Sequence, residues 1–202
     1  MIPESLINLW LAALPLMASP GPATLSIAAV AATYGLRKGF AYQLGVITGT
    51  GLVLLLVASG LTGLILTLPA ATPIITIIGI GYILLLAFKI ATAPIAANDT
   101  VGKPAPSYAG GLILGIANPK AYAAIGAVFS SQTLITSDPL TDALAKIIAL
   151  GLVIVMAHSG WFTFGSVLAY YLRHPRYGRW LNLSFAVLLV ASVALSILPI
   201  HA

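Results

Sequence analysis

Hydrophobic runs without a single Asp, Glu, Lys or Arg dominate this chain. They cover residues 5–36, 39–88, 147–172 and 180–202, and the runs 104–119 and 121–137 are separated only by Lys120. A helix that crosses the hydrocarbon core of a bilayer needs about 20 such residues. The stretch 39–88 is too long for one crossing and must turn back, most readily between Ser59 and Pro73, where Gly60, Gly63, Pro69 and Pro73 cluster. The pattern predicts six helices, at roughly 5–33, 40–62, 68–90, 108–132, 144–170 and 180–199, with a loop from Asp99 to Ser107. Membrane β-strands alternate in and out with a period of two, and these continuous runs do not. The expected fold is an all-α polytopic membrane protein, one transmembrane domain over 1–202. The first helix is expected to remain as a span, because its apolar stretch exceeds that of a cleavable signal and no basic segment precedes it.

Composition excludes several classes. Hydrophobic residues make up 60% of the chain and charged residues 6%, with a mean hydropathy of +1.07. A typical soluble domain has about 25% charged residues. There is too little polar side chain to cover a water-facing surface, and too much apolar side chain for a disordered segment. The absence of cysteine removes disulfide frameworks, thiolate metal sites, iron–sulfur clusters and thiol redox chemistry. The net charge of +5 comes from nine basic residues scattered over short loops, which is no nucleic-acid footprint.

Those basic residues report topology instead. Arg37 and Lys38 follow the first helix, Lys89 and Lys103 bracket the loop after the third, and Arg173, Arg176 and Arg179 follow the fifth. Seven of the nine thus fall in odd-numbered loops, while Lys146 stands on the other side near Glu4, Asp138 and Asp142. The positive-inside rule places the odd loops in the cytoplasm and both termini outside.

Two helices are interrupted at matching places. The first carries Ser19-Pro20-Gly21-Pro22 and the fourth carries Ala117-Asn118-Pro119-Lys120, and Pro22 and Pro119 are 97 residues apart. Proline removes a backbone donor and frees a carbonyl upstream. In lipid, such groups must be satisfied within the protein or by a water-filled cavity. Three helices per half, an odd number, give two inverted repeats, about 1–95 and 104–202, joined by a short cytoplasmic loop. Paired broken helices at a repeat interface are the pattern of a secondary transporter with a midplane site; plain proline kinks are the alternative.

At this point a resemblance becomes specific. Ser19-Pro20-Gly21-Pro22-Ala23-Thr24 resembles the PGPN segment of the LysE/RhtB family of bacterial amino-acid exporters, with Ala23 in place of the usual Asn. Gly35-Leu36-Arg37-Lys38-Gly39, then Gly45 and Gly49, follow at the family's spacing. Gly79-Ile80-Gly81-Tyr82-Ile83 resembles its glycine–tyrosine–leucine stretch, and Gly110-Gly111 through Asn118-Pro119-Lys120 resembles its glycine-led NPK segment. Trp161 and the basic stretch Arg173 to Asn182 also match in place, whereas Ser130-Ser131-Gln132-Thr133 stands where the family often has Pro-Gln-Phe. The resemblance implies a multi-pass protein of the bacterial inner membrane that exports amino acids or similar solutes.

The residues themselves suggest how. Lys120 is the one charge expected within an apolar core, where burial is costly and ionisable groups are usually functional. It can bind a substrate carboxylate or a nearby carbonyl, or snorkel to the interface. Pro20, Gly21, Pro22, Asn118 and Pro119 are candidates as a backbone unit, because half-helix N-termini favour anionic groups. Asn118 can bond substrate directly or cap its helix. Thr24 and Ser26 offer hydroxyls, which in membrane helices more often bond their own backbone. His158 can relay a proton or bridge two helices. Gln43 is a weaker candidate, and Trp161 and Tyr122 can line a cavity or anchor at the interface. The pairs Gly35/Gly39, Gly45/Gly49 and Gly111/Gly115 allow close helix approach, within the chain or across a homodimer.

No Asp or Glu lies in any predicted span. Proton coupling would then fall to Lys120, His158 or the cargo, and a small neutral amino acid suits the chain better than a cationic one. The expected partners are therefore an amino-acid-like solute and membrane lipid, with no cofactor and no nucleic acid. An enzyme would need a cluster of His, Asp or Glu, and His158, His174 and His201 are scattered. Two further readings stay open: efflux of another small metabolite or ion, and a non-transporting scaffold. The scaffold would show unbroken helices at Pro22 and Pro119 with no cavity between them.

Overall fold

The chain is described here by a computed structural model covering residues 2–61, 71–93, 105–172 and 178–197. The turn expected at Gly63 and Pro69, the loop with Asp99 and Lys103, the junction of the two halves, the stretch with Arg173, His174 and Arg176, and His201 lie outside the described residues. Among those described there are seven helices and no strand: α1 Ile2–Ala18, α2 Pro22–Ala58, α3 Ala71–Ala91, α4 Tyr108–Ile116, α5 Pro119–Ser131, α6 Pro139–Leu172 and α7 Gly178–Ile197.

The 37 residues of α2 would make a straight helix of about 55 Å, nearly twice the thickness of a bilayer core. Gly35 prevents this. Its φ of 79° and ψ of 167° lie in a region that only glycine enters readily, and it divides α2 into segments 22–34 and 36–58. These fold back on each other: the Tyr42 hydroxyl donates to Ser26 Oγ at 3.0 Å, and a Cβ on Gly39 would stand 3.2 Å from Val30 Cγ1.

Both expected breaks are present. Ser19 to Gly21 separate α1 from α2, and Ala117 and Asn118 separate α4 from α5, which are bent by 55°. The two restarts are built alike. Gly21 and Asn118 are extended N-cap residues, each followed by a proline at the first helical position, where its missing N–H has no intrahelical partner to lose.

Glycines set the main crossing. A Cβ on Gly45 would run into the carbonyl oxygen of Tyr108, and one on Gly111 into that of Tyr42. Gly49 lies as close to Leu112 and Gly115. Segment 36–58 therefore packs backbone-to-backbone on α4, and these four glycines face each other inside one chain. Segment 22–34 is buried on all sides through Ala32, as expected of a helix apolar around its whole circumference. Its many alanines let neighbours approach, and Gly165 of α6 meets the backbone of Ala28.

The core has two parts. One gathers segment 22–34 with Tyr42, Leu86, Phe162 and Leu189; the other gathers Leu9, Val53, Ile125 and Leu150 with their neighbours. Large apolar side chains also cover the outside, among them Leu11, Phe88, Ile148 and Trp180. Stretches Pro22–Ala58 and Pro139–Leu168 are long and apolar enough to cross a membrane, α4 with α5 passes as one bent crossing, and α1, α3 and α7 add shorter apolar helices. An outer surface of this kind is suited to lipid.

Helix α6 corrects the sequence reading at its start. It begins at Pro139 rather than near 144, so Asp142 and Lys146 lie inside a long apolar helix, both buried. The reason is a cap: Asp138 Oδ2 accepts from the Thr141 amide at 2.9 Å and from its hydroxyl. The hydroxyl first, then the amide, holds the exposed Asp138 carboxyl below its ordinary value. A carboxylate so held stabilises the folded state above its ordinary titration range, and that contribution fades as pH falls through the lowered value. Asp138→Ala is accordingly expected to lower the unfolding midpoint in detergent at pH 6, with the difference from the parent protein shrinking toward pH 3. A difference that grew toward pH 3 would contradict the cap.

Candidate functional site

The first break exposes carbonyls that an unbroken helix would have used, and other groups of the chain take them up. Leu16 O accepts from Ser19 Oγ at 2.8 Å, and Ala18 O from Trp161 Nε1 at 2.8 Å. The Thr24 hydroxyl donates to Ser19 O at 3.3 Å and accepts from the Gly21 amide at 2.9 Å. Lys120, from the first turn of α5, reaches across and donates through Nζ to Ser19 O and, at 3.5 Å, to Pro20 O. One cation thus ties the restart of the second broken pair to the loose end of the first.

Glycine at position 21 leaves the room in which Lys120 lies, and a side chain there would displace the flexible end of Lys120. A Cβ there would stand 2.7 Å from Lys120 Cδ and 3.1 Å from Nζ. Gly21 itself is fully extended, with φ −171° and ψ −179°, so the demand is for space and not for unusual dihedrals.

Around this contact lies a narrow cleft with about 30 Å³ of free space, room for one or two waters. Gly21, Thr24, Asn118, Lys120 and His158 line it, with Leu16, Met17, Ala121, Ile125 and Ile154 as apolar walls. Those walls belong largely to the second core cluster, and Ala23 adds an edge of the first. No carboxylate is among the described lining groups.

Five of the eight expected site residues therefore meet in one place. Pro20 contributes its carbonyl beside them. Pro22 and Pro119 do not line this cleft; they face a smaller gap of about 10 Å³ with Thr76, Gly79, Ile83 and Val193. His158 is buried, and its Nδ1 lies 2.8 Å from Ile154 O. A carbonyl can only accept, so Nδ1 carries the proton and Nε2 is the acceptor of the neutral ring. Ser26 is absorbed in structure, donating to Ala23 O and receiving Tyr42. Gln43 donates to Ser159 Oγ at 3.3 Å. Trp161 closes the end of α1 and stacks edge-on against Phe164. Neither Gln43, Trp161 nor Tyr122 lines the cleft.

One lining residue escaped the sequence reading. Thr50, in segment 36–58, lines the cleft, and its hydroxyl oxygen and Asn118 Oδ1 are both buried with no hydrogen-bond partner. Its signal in the sequence is slight: a lone hydroxyl directly after Gly49 in an apolar run.

The arrangement gathers both cationic and hydrogen-bond-accepting groups in one place. It offers one cation, two unpaired neutral oxygens, one imidazole acceptor and the positive ends of two half-helices.

Comparison with known proteins identifies a family for the chain. The model of the LysE type translocator family matches residues 14–198. The cysteine/O-acetylserine efflux proteins of Salmonella typhimurium and Escherichia coli K12 are each 30% identical to this chain, over 190 and 196 residues, with 94% of this chain and 96% of theirs covered. No solved structure matches it.

Proposed function

The chain belongs to the LysE family of translocators, and on that footing we propose that it exports small neutral amino acids or similar zwitterions from the cytoplasm by alternating access. It is a membrane transporter and not an enzyme. The observation that carries the cargo reading is the cleft between the two breaks, where Lys120 is the only charge among the described lining groups. A cation without an acidic neighbour suits a carboxylate, and a cargo with its own ammonium adds no net charge to a membrane-buried site. The efflux names of the relatives, cysteine and O-acetylserine, belong to this chemical class.

In this reading the six crossings are α1 with segment 22–34, segment 36–58, α3, α4 with α5, α6 and α7, in two inverted halves. The protein sits in the bacterial inner membrane with both termini outside. Arg179 Nη1 donates to Ala91 O at 2.7 Å, which brings the basic ends of α3 and α7 together and supports placing them on one side. Lys120 acts as the latch. Unloaded, it holds the carbonyls of Ser19 and Pro20; a cargo carboxylate competes for Nζ with a stronger, charge-assisted bond and frees the broken ends to move. If transport is proton-coupled, His158 is the titratable ring at the site.

Counterflow in proteoliposomes tests this, with labelled cysteine, O-acetylserine, serine, threonine, leucine and lysine, with and without a pH gradient. Saturable exchange of the small neutral members is expected, falling roughly tenfold or more in Lys120→Ala, the size of one lost hydrogen bond to a charged group. Exchange of neutral members undiminished in Lys120→Ala would remove the latch. Silence across the panel from correctly inserted protein would move the reading to another metabolite or ion. The scaffold alternative is the less supported, because both helices are broken and a cleft lies between them.

A further inference from the structure

The two breaks differ in one respect. The carbonyls of Leu16, Ala18, Ser19 and Pro20 at the first all have partners. At the second, Asn118 Oδ1 has none, and Thr50 Oγ1 beside the same cleft has none either. Both residues are 5% exposed. Buried polar atoms are nearly always paired, so an unpaired one in a cleft asks for an explanation.

Thr50 had an easier option. Thr48, Thr92 and Thr163 each donate to the carbonyl four residues back, Leu44, Phe88 and Ser159, at 2.8–2.9 Å. Thr50 makes no such bond to Val46. Its place is enforced from behind, since a Cβ on Gly115 would stand 2.7 Å from Val46 O and 2.8 Å from Thr50 N. The bare Gly115 thus lets segment 36–58 settle against α4 three residues before Asn118, and Thr50 and Asn118 line the same cleft.

From this placement we propose that Thr50 and Asn118 form the subsite for the ammonium group of the cargo, with His158 as third acceptor. This rests on the exporter reading above and deepens it. An alkylammonium has three N–H donors and no acceptor. Asn118 Oδ1 and Thr50 Oγ1 are vacant oxygens, and His158 Nε2 is an acceptor because Nδ1 is committed to Ile154 O. Lys120 takes the carboxylate end. Neutral oxygens stand where a cation site would ordinarily use an acid, so the loaded cleft carries no more than the single positive charge of Lys120.

The test separates the two ends of the cargo. Labelled L-cysteine counterflow is competed, under a thiol reductant, by cysteamine, which lacks the carboxylate, and by 3-mercaptopropionate, which lacks the ammonium. The chain has no cysteine of its own, so the thiols meet only the site. Thr50→Val keeps the shape and removes the hydroxyl. It is expected to weaken cysteamine and cysteine roughly tenfold and leave 3-mercaptopropionate unchanged, with Thr50→Ser restoring both. The thermal midpoint of Thr50→Val should not fall, because an unsatisfied buried hydroxyl has been removed. Lys120→Ala should show the opposite competition pattern. Cysteamine undiminished in Thr50→Val, or both competitors weakened alike, overturns the subsite and leaves the exporter reading standing. A parent protein that carries no amino acid overturns both.

Discussion

Asp142→Ala is expected to lower the free energy of unfolding by about 3 kcal/mol. The carboxylate holds together the turn between α5 and α6. Oδ1 accepts from the amides of Leu134 at 2.6 Å and Ile135 at 2.9 Å, and Oδ2 pairs with Lys146 Nζ at 2.9 Å. Lys146 in turn donates to the carbonyls of Phe129 at 2.9 Å and Gln132 at 3.1 Å, and its Nζ lies 4.2 Å from the Phe129 ring centroid. Removing the acid strands a buried cation and two backbone donors. Breaking one side of a buried pair costs roughly 3–5 kcal/mol; the low end applies because the pair sits near a helix end, with side chains 9% and 11% exposed. The double variant Asp142→Ala with Lys146→Met should recover part of the loss and not all of it, since the two amides remain unpaired. Equilibrium unfolding in mixed micelles, read by tryptophan fluorescence, measures this. A single variant within about 0.5 kcal/mol of the parent, as for an ordinary surface change, would show that water already satisfies these groups.

The second large effect is at the glycine crossing. Gly45→Ala is expected to destabilise by about 2 kcal/mol or more, whereas Gly51→Ala, one and a half turns along the same helix, is expected to be neutral or to stabilise by up to about 1 kcal/mol. Both changes gain the same helix propensity. Only position 45 meets backbone: its Cβ would strike the Tyr108 carbonyl and stand 2.9 Å from Leu112 N, while Gly51 has nothing within 4 Å. Backbone cannot swing aside as a side chain can, so segment 36–58 and α4 must separate, and dispersion contacts along the whole crossing weaken with them. Because that crossing also positions Thr50 at the second break, Gly115→Ala should impair exchange as well as stability. Equal midpoints for Gly45→Ala and Gly51→Ala would mean that the two helices do not touch where the structure places them.

Much of this was legible in the chain. Charge-free runs mark apolar helices because a single intramembrane charge is costly, and proline marks the breaks because it removes a local hydrogen bond. Both signals are carried by residue type alone. Pro22 and Pro119 accordingly located the two restarts, and Lys120 stood out as a cation with no local partner. The start of α6 lies five residues before the expected 144, because Asp138 caps it and Asp142, paired with Lys146 one turn on, can enter it.

Other features needed the packed helices. Gly45, Gly49, Gly111 and Gly115 advertise close approach, but nothing local says whether the opposing surface belongs to the same chain. Here the opposing surfaces are their own counterparts. Thr50 and Thr48 are the same residue type two positions apart, and one bonds its own helix while the other is left unpaired in the cleft. Hydropathy and prolines are one-body properties, readable along a line; a partner, or the lack of one, is a relation between segments roughly a third of the chain apart, and only their packing sets it.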